Sequence, residues 1–352
     1  MEKTQSNGGP LGVALIGAGM VAGTHMAAIL DAAKSVKLCG VYARNSAKAA
    51  NLIAQHPAAS HAKVYEDLSE IATDPDVDIA IVVTPPNARA QIIAPLAKAG
   101  KHILLEKPIA RTVPEAQEVV EICAAAEVSL GIVFQHRFRA ASQQALKLVA
   151  GGTLGHLGMV QVNVPYWRDQ GYYDALGRGT YARDGGGVMI SQAIHTMDLM
   201  LALTGPVERV QAMTATTRFH TMESEDFVSA GVTFTNGAVG AITASTAAFP
   251  GGAEAITLQY ENASLHLEAG VLTLNWRDGR IETYGAVAST GGGADPMAFT
   301  HAWHQSVIED FADTIRRSTP ATVSGQTALA VHKLIQAIET SGKTGTTTMV
   351  PQ

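Results

Sequence analysis

The stretch from Leu11 to Gly23, LGVALIGAGMVAG, constrains this chain more than any other. An apolar strand pattern at 13–16 turns through Gly17-Ala18-Gly19 and enters a helix pattern near Val21. The spacing is G-x-G-x-x-A, with Ala22 in the third small position. In a strand–turn–helix unit each small residue has a physical task. Gly17 permits the tight turn, Gly19 lets a pyrophosphate approach the backbone, and Ala22 lets the helix pack closely on the strand. Met20 and Val21 complete the turn. The N–H groups and positive dipole end of such a helix favour phosphate. At the head of a βαβ pattern, this motif predicts a dinucleotide-binding unit.

The pattern that follows fits that unit. Short apolar strands at 12–16, 37–42, 62–65, 78–83, 102–105 and 129–133 alternate with helices such as 21–33, 46–55, 88–98 and 114–126. Such alternation predicts an α/β domain with a doubly wound parallel sheet, binding ligands outside the carboxyl ends of its strands. The second strand runs into VYARNS. An NAD-binding unit places an acidic residue here for the ribose 2′-OH, whereas this chain has Ala43, with Arg44 and Ser46 beside it. A cation and a small hydroxyl suit a 2′-phosphate, so the reading favours NADP over NAD. The fourth strand ends in Thr84-Pro85-Pro86-Asn87, a loop made rigid by its prolines. The fifth runs into Glu106-Lys107-Pro108. A lysine held partly desolvated beside a nicotinamide is suited to general acid–base work.

From 136 the pattern changes. A helix at 140–150 leads to a strand and then to a loop at 167–187 containing Arg168, Tyr172 and Tyr173. Aromatic and guanidinium groups suit a polyhydroxylated ligand, and long loops in compact domains are often functional. Gly185-Gly186-Gly187 opens a helix running to about Leu203, with Ser191, His195 and Asp198 on one face. A triglycine entry would let a ligand approach His195. From 207 to 282 the chain reads as antiparallel strands with hairpin signals at Asn236-Gly237 and Asp278-Gly279. Their low charge predicts a sheet-to-sheet contact between copies. A loop at 286–296 precedes helices at 300–317 and 325–341. The expected divisions are a disordered lead-in at 1–10, an NAD(P)-binding domain at 11–135, and a substrate-binding and oligomerisation domain at 136–352.

Composition narrows the function classes. A net charge of −6 gives no electrostatic case for nucleic acid. The sequence has no apolar run of the roughly 20 residues needed to cross a bilayer. MEKTQSNGGP lacks a signal-peptide core, and Cys39 and Cys123 are read as free thiols, so a cytoplasmic location is expected. The sequence contains no H-E-x-x-H, paired C-x-x-C or P-loop, and a metal is not expected.

Together, GAGMVA, EKP at 106–108 and GGG followed by I-H-x-x-D at 194–198 resemble the Gfo/Idh/MocA oxidoreductase family, which includes glucose–fructose oxidoreductase and inositol dehydrogenase. The resemblance implies a Rossmann domain followed by an α/β domain with a large, open, mainly antiparallel sheet. It also implies dimers or tetramers joined through that sheet. The implied activity is NAD(P)-linked oxidation of a secondary hydroxyl of a sugar, cyclitol or related polyol by direct hydride transfer. Lys107 matches the family's catalytic lysine and His195 its catalytic histidine, and the two are expected to converge on one reactive carbon. Ser191 stands where the family often has aspartate, and Arg89 where it often has histidine. Arg137, Arg168, Tyr172, Tyr173, Ser191 and Gln192 are substrate candidates beside Lys107 and His195. Two alternatives are a keto-sugar reductase working in the opposite direction and a non-catalytic NAD(P)-binding sensor.

Overall fold

The computed structural model describes residues 9–293 and 295–352, so most of the expected lead-in lies outside the described residues. The chain divides into two compact units. The first is built on six parallel strands: β1 (Leu11–Ile16), β2 (Val36–Tyr42), β3 (Lys63–Tyr65), β4 (Ile79–Val82), β5 (His102–Glu106) and β6 (Leu130–Val133). Their order is β3-β2-β1-β4-β5-β6. Every residue of β1, β4 and β6 is buried, as expected of a parallel sheet covered on both faces. The helices following the first five strands are α1 (Ala22–Asp31), α2 (Ser46–Ala54), α3 (Leu68–Thr73), α4 (Arg89–Lys98) and α5 (Val113–Ala125). The short α3 was not singled out from sequence. Asp67 starts it by accepting the amides of Ser69 and Glu70. Strand order reverses between β1 and β4, the position where such sheets open a crevice for ligands.

The second unit contains α6 (Ala140–Ala150), β7 (Leu157–Pro165), α7 (Gln170–Tyr173) and α8 (Ile194–Thr204). Seven strands follow: β8 (Val207–Ala215), β9 (Phe227–Phe234), β10 (Val239–Ser245), β11 (Ala255–Tyr260), β12 (Ala263–Glu268), β13 (Val271–Trp276) and β14 (Ile281–Gly285). With a short C-terminal strand, β15 (Thr348–Met349), at one edge, the sheet order, β14-β13-β12-β11-β7-β10-β9-β8-β15, corrects the expectation of consecutive hairpins, because β7 lies between β10 and β11. β7 pairs in parallel with β10 and antiparallel with β11. The connection after β10 carries Pro250-Gly251-Gly252, and β11 starts beyond β7 rather than folding back beside β10. Asn236-Gly237 and Asp278-Gly279 do form turns, each glycine having positive φ. Along β7, buried Val160, Val162 and Val164 alternate with exposed Met159, Gln161 and Asn163. One row across the outward face reads Gln211, Gly231, Ala241, Gln161, Thr257, His266, Thr273 and Thr283. No Asp, Glu, Lys or Arg interrupts that row.

The C-terminal segment revises the expected division of the chain. Residues 300–328, assigned from sequence to the second domain, belong to the first unit, while 329–352 belong to the second. In the first unit α9 (Ala302–Arg317) packs on α1. His301 pairs with Asp31 at 2.7 Å, Arg316 donates to the Ser35 carbonyl at 2.5 Å, and Phe311 lies against Gly131. α10 (Gly325–Thr344) is followed by β15 (Thr348–Met349), which pairs with β8 at the sheet edge. Among the described residues, no helix is long and apolar enough to cross a membrane.

Candidate active site

In the first unit the candidate residues cluster at the carboxyl ends of β1, β2, β4 and β5. Gly17 has φ +116°, and its amide donates to the Tyr42 carbonyl at 2.8 Å. A Cβ there would crowd Val83 at 3.0 Å, so the backbone, the tight turn and the neighbouring strand together require glycine. Nothing lies within 4 Å of a Cβ built on Gly19, so the turn has open space where a phosphate would approach the N-terminus of α1. Met20 is exposed, and Val21 immediately precedes α1. At the end of β2, Ala43 is buried and Arg44 exposed, while Ser46 opens α2. Asn45 caps that helix by accepting the Ala47 amide. Pro85 and Asn87 are exposed after β4. The hydroxyl of Thr84 is buried without a hydrogen-bond partner among the described residues. An open glycine turn and an orphaned hydroxyl at adjacent strand ends fit a dinucleotide.

Arg89 has a structural task. Its buried guanidinium donates to the Thr84 carbonyl at 2.8 Å and to the Glu106 carbonyl, tying the loop after β4 to the loop after β5. Burial lowers its pKa to about 9, which leaves it charged at neutral pH. Glu106 ends β5 with its carboxylate buried. Oε1 lies 2.8 Å from His25 Nε2 of α1 and 3.6 Å from His304 Nε2 of α9. Oε2 accepts the Lys107 amide at 3.1 Å. Burial alone would raise the Glu106 pKa, but the hydrogen bonds and charges of His25 and His304 hold it well below the usual carboxylate range. Burial pushes His304 down, toward the neutral imidazole. His25, Glu106 and His304 each offer one atom to a group spanning no more than 4.8 Å. The 2.8 Å contact is a hydrogen bond. Lys107 is half-buried, and its peptide bond to Pro108 is cis. His25 and His304 were not identified as site residues from sequence. Their burial depends on α1 and α9 meeting, which local pattern does not report.

In the second unit His195 stands where a π-helical turn, Met189–Ala193, gives way to α8. Such turns recur at functional sites. His195 is buried and stacks on His136, with ring centroids 4.9 Å apart and planes 24° apart. His136 Nδ1 lies 3.9 Å from Glu254, which also pairs with Arg139 and accepts the Tyr166 hydroxyl at 2.6 Å. Gln192, in the π turn, is buried with neither amide atom hydrogen-bonded among the described residues. Such a group is costly without a hydrogen-bond partner. Ser191 donates to the Gly187 carbonyl at 2.5 Å, within its own turn.

Several candidates have tasks that spacing did not disclose. The triglycine, expected to admit a ligand, admits protein instead: a Cβ on Gly187 would fall 1.8 Å from the Glu225 carbonyl oxygen. The Glu225 carboxylate then accepts the Gly187 and Met189 amides, each at 3.1 Å, and anchors the entry to the helix. Arg137, expected at the substrate, makes a bidentate pair with Asp198 at 2.6 and 2.7 Å. Burial raises the Asp198 carboxyl above its ordinary range against the opposing pull of Arg137. Arg168 is buried and donates to the carbonyls of Trp167, Gly291 and Gly293, so it anchors loops rather than presenting a free fork. The buried Tyr173 hydroxyl bonds Thr246 at 2.6 Å. Tyr172 remains half-buried, with the Arg178 guanidinium 4.6 Å from its ring centre.

Comparison with known proteins follows the same two units. Residues 11–134 match the model of an oxidoreductase family with an NAD-binding Rossmann fold, and residues 142–273 match the GFO/IDH/MocA C-terminal domain. D-xylose dehydrogenase of Paenarthrobacter nicotinovorans is 31% identical over 49% of this chain and 45% of its own length. Myo-inositol 2-dehydrogenase of Thermotoga maritima is 29% identical over 43% of each. The chain thus spans about half the length of the curated relatives it matches. A crystal structure of the WlbA dehydrogenase from Bordetella pertussis, in complex with NADH and UDP-GlcNAcA, is 27% identical, with a TM-score of 0.80 over 97% of this chain and 99% of that one.

Proposed function

This chain belongs to the Gfo/Idh/MocA oxidoreductase family, and from that premise we propose that it is an NAD(P)-dependent dehydrogenase oxidising a secondary hydroxyl of a sugar, cyclitol or related polyol. The observation that carries this reading is the placement of Lys107. It leaves β5 at the same end of the sheet as the Gly17 turn leaves β1, with only β4 between those strands. The named relatives and WlbA support the substrate class, since they are dehydrogenases and act on or bind sugars and a cyclitol by name.

Gly17, Gly19, Met20 and Val21 would hold the pyrophosphate; Arg44 and Ser46 would hold the ribose end, and Thr84, Pro85, Asn87 and Glu106 would flank the nicotinamide end. Bound there, NAD(P) supplies a hydride acceptor. We assign the remaining chemistry to two side chains: one of Lys107 and His195 takes the hydroxyl proton while the other fixes the oxygen. The stack on His136 fixes the imidazole plane for this task. Gln192 is assigned to substrate hydroxyls, because a ligand would satisfy its buried amide. Tyr172 is assigned to the substrate's apolar face. Ser191 supplies no carboxylate, so the assignment needs only the lysine and histidine.

Lys107→Ala tests the assignment. Turnover should fall by about 10²–10⁴-fold, with NADH affinity retained. Near wild-type turnover would end it. Tight cofactor binding without turnover of any polyol in a broad panel would favour the sensor. Turnover only from keto-sugar and reduced cofactor would favour the reductase.

A further inference from the structure

We propose that the buried trio of His25, Glu106 and His304 positions Lys107, with Glu106 as the residue through which it acts; the proposal rests on the role given to Lys107 above.

Three elements brought from distant parts of the sequence meet at one carboxylate. Glu106 comes from the end of β5, His25 from the second turn of α1 and His304 from the first turn of α9. A lone carboxylate at 6% exposure would give up its charge by taking a proton. Here Oε1 has His25 at 2.8 Å and His304 at 3.6 Å, and Oε2 takes the Lys107 amide at 3.1 Å. The Glu106 main-chain carbonyl takes the Arg89 guanidinium from α4. Among the described residues, His25 and His304 act on the Glu106 carboxylate, Arg89 acts on its main-chain carbonyl, and the charge of Lys107 acts on His304. Each contact limits a different freedom. The amide bond to Oε2 orients the backbone from which the Lys107 side chain leaves. The carboxylate charge favours the ammonium form of the neighbouring lysine. His25 belongs to the helix entered from the glycine turn, so the contact also fixes that helix against the end of β5. Glu106 is a positioning residue, and His25 and His304 act through it.

The test measures Lys107 directly and does not depend on turnover. Competitive labelling with acetic anhydride, read by peptide mass spectrometry across pH, gives the midpoint at which Lys107 loses its proton. In Glu106→Gln the midpoint should fall by ~1 pH unit or more. Glu106→Asp, which keeps the charge, should stay nearer wild type. His304→Leu should move it in the same direction by less, and it carries the test if Glu106→Gln does not fold. His301→Gln, which removes the imidazole paired with the exposed Asp31, should leave it unchanged. An unmoved midpoint in the folded variants overturns the proposal. So does one zinc ion per wild-type chain that is lost in Glu106→Gln, because the trio would then be a metal site. A shifted midpoint in a protein that oxidises no polyol would instead defeat the dehydrogenase reading and leave the positioning role standing.

Discussion

Arg44 follows Ala43, the position at which the chain lacks the acidic residue that would hold a ribose 2′-OH, and its side chain is exposed after β2. Asn45 is committed to capping α2, so in our reading a 2′-phosphate would meet Arg44 and Ser46. Arg44→Ala should weaken NADPH binding about tenfold while changing NADH binding little, as expected for loss of a charge-assisted contact to phosphate. Titration of both cofactors by fluorescence reads this, and equal losses for the two would remove the NADP preference. At this scale residue type is what singles out the candidates. Glycine at 17, lysine before proline at 107 and histidine after a triglycine at 195 each stand out in the sequence. The guanidinium and phenol groups were less legible. Arg137, Arg168 and Tyr173 have the chemistry of sugar ligands, but Asp198, loop carbonyls and Thr246 engage them within the protein. Spacing reports what a side chain can do, and only packing reports which partner reaches it first.

Among the elements, the π turn and the triglycine before α8 depend on a pair of carboxylates. Glu225 anchors the turn through two amides, and burial raises it. Glu339 of α10 lies near Gly186, and burial together with Glu225 raises it to about 7 from an ordinary 4.5. The folded chain therefore keeps this proton up to about pH 7, whereas the unfolded chain releases it near 4.5. More protons are bound when folded, so stability falls as pH rises through that window and stays lower above it. Glu339→Gln imitates the protonated form. It should raise Tm by about 2 °C or more at pH 8 and by less at pH 5, and an equal gain at both would contradict the account. Strands and long helices were legible because periods of 2 and 3.6 are local properties. The position of β7 between β10 and β11 was not, since no local pattern sets the order of strands in space. Nor was the return of α9 to the first unit, because an amphipathic helix shows that it has an apolar face but not which core covers it.

At the scale of the whole molecule, we propose that copies associate through the outward face of the nine-stranded sheet as dimers or tetramers. Its Gln211-to-Thr283 row has no Asp, Glu, Lys or Arg, and Met159, Met213 and Val239 are exposed. A face of that kind loses little by desolvation when it meets its equal. Ala241→Arg places a charge near its middle and should reduce the mass by light scattering to that of one chain; a wild-type protein already at that mass would contradict the assignment. The dehydrogenase account depends on residues from two separate units acting on one bond, so the most direct test is a double-mutant cycle of Lys107→Ala and His195→Ala on the rate of hydride transfer. The account predicts strong non-additivity, with the double variant little slower than the worse single variant. Losses that simply multiply, or a single variant that loses nothing, would show that the lysine and the histidine do not share a reaction.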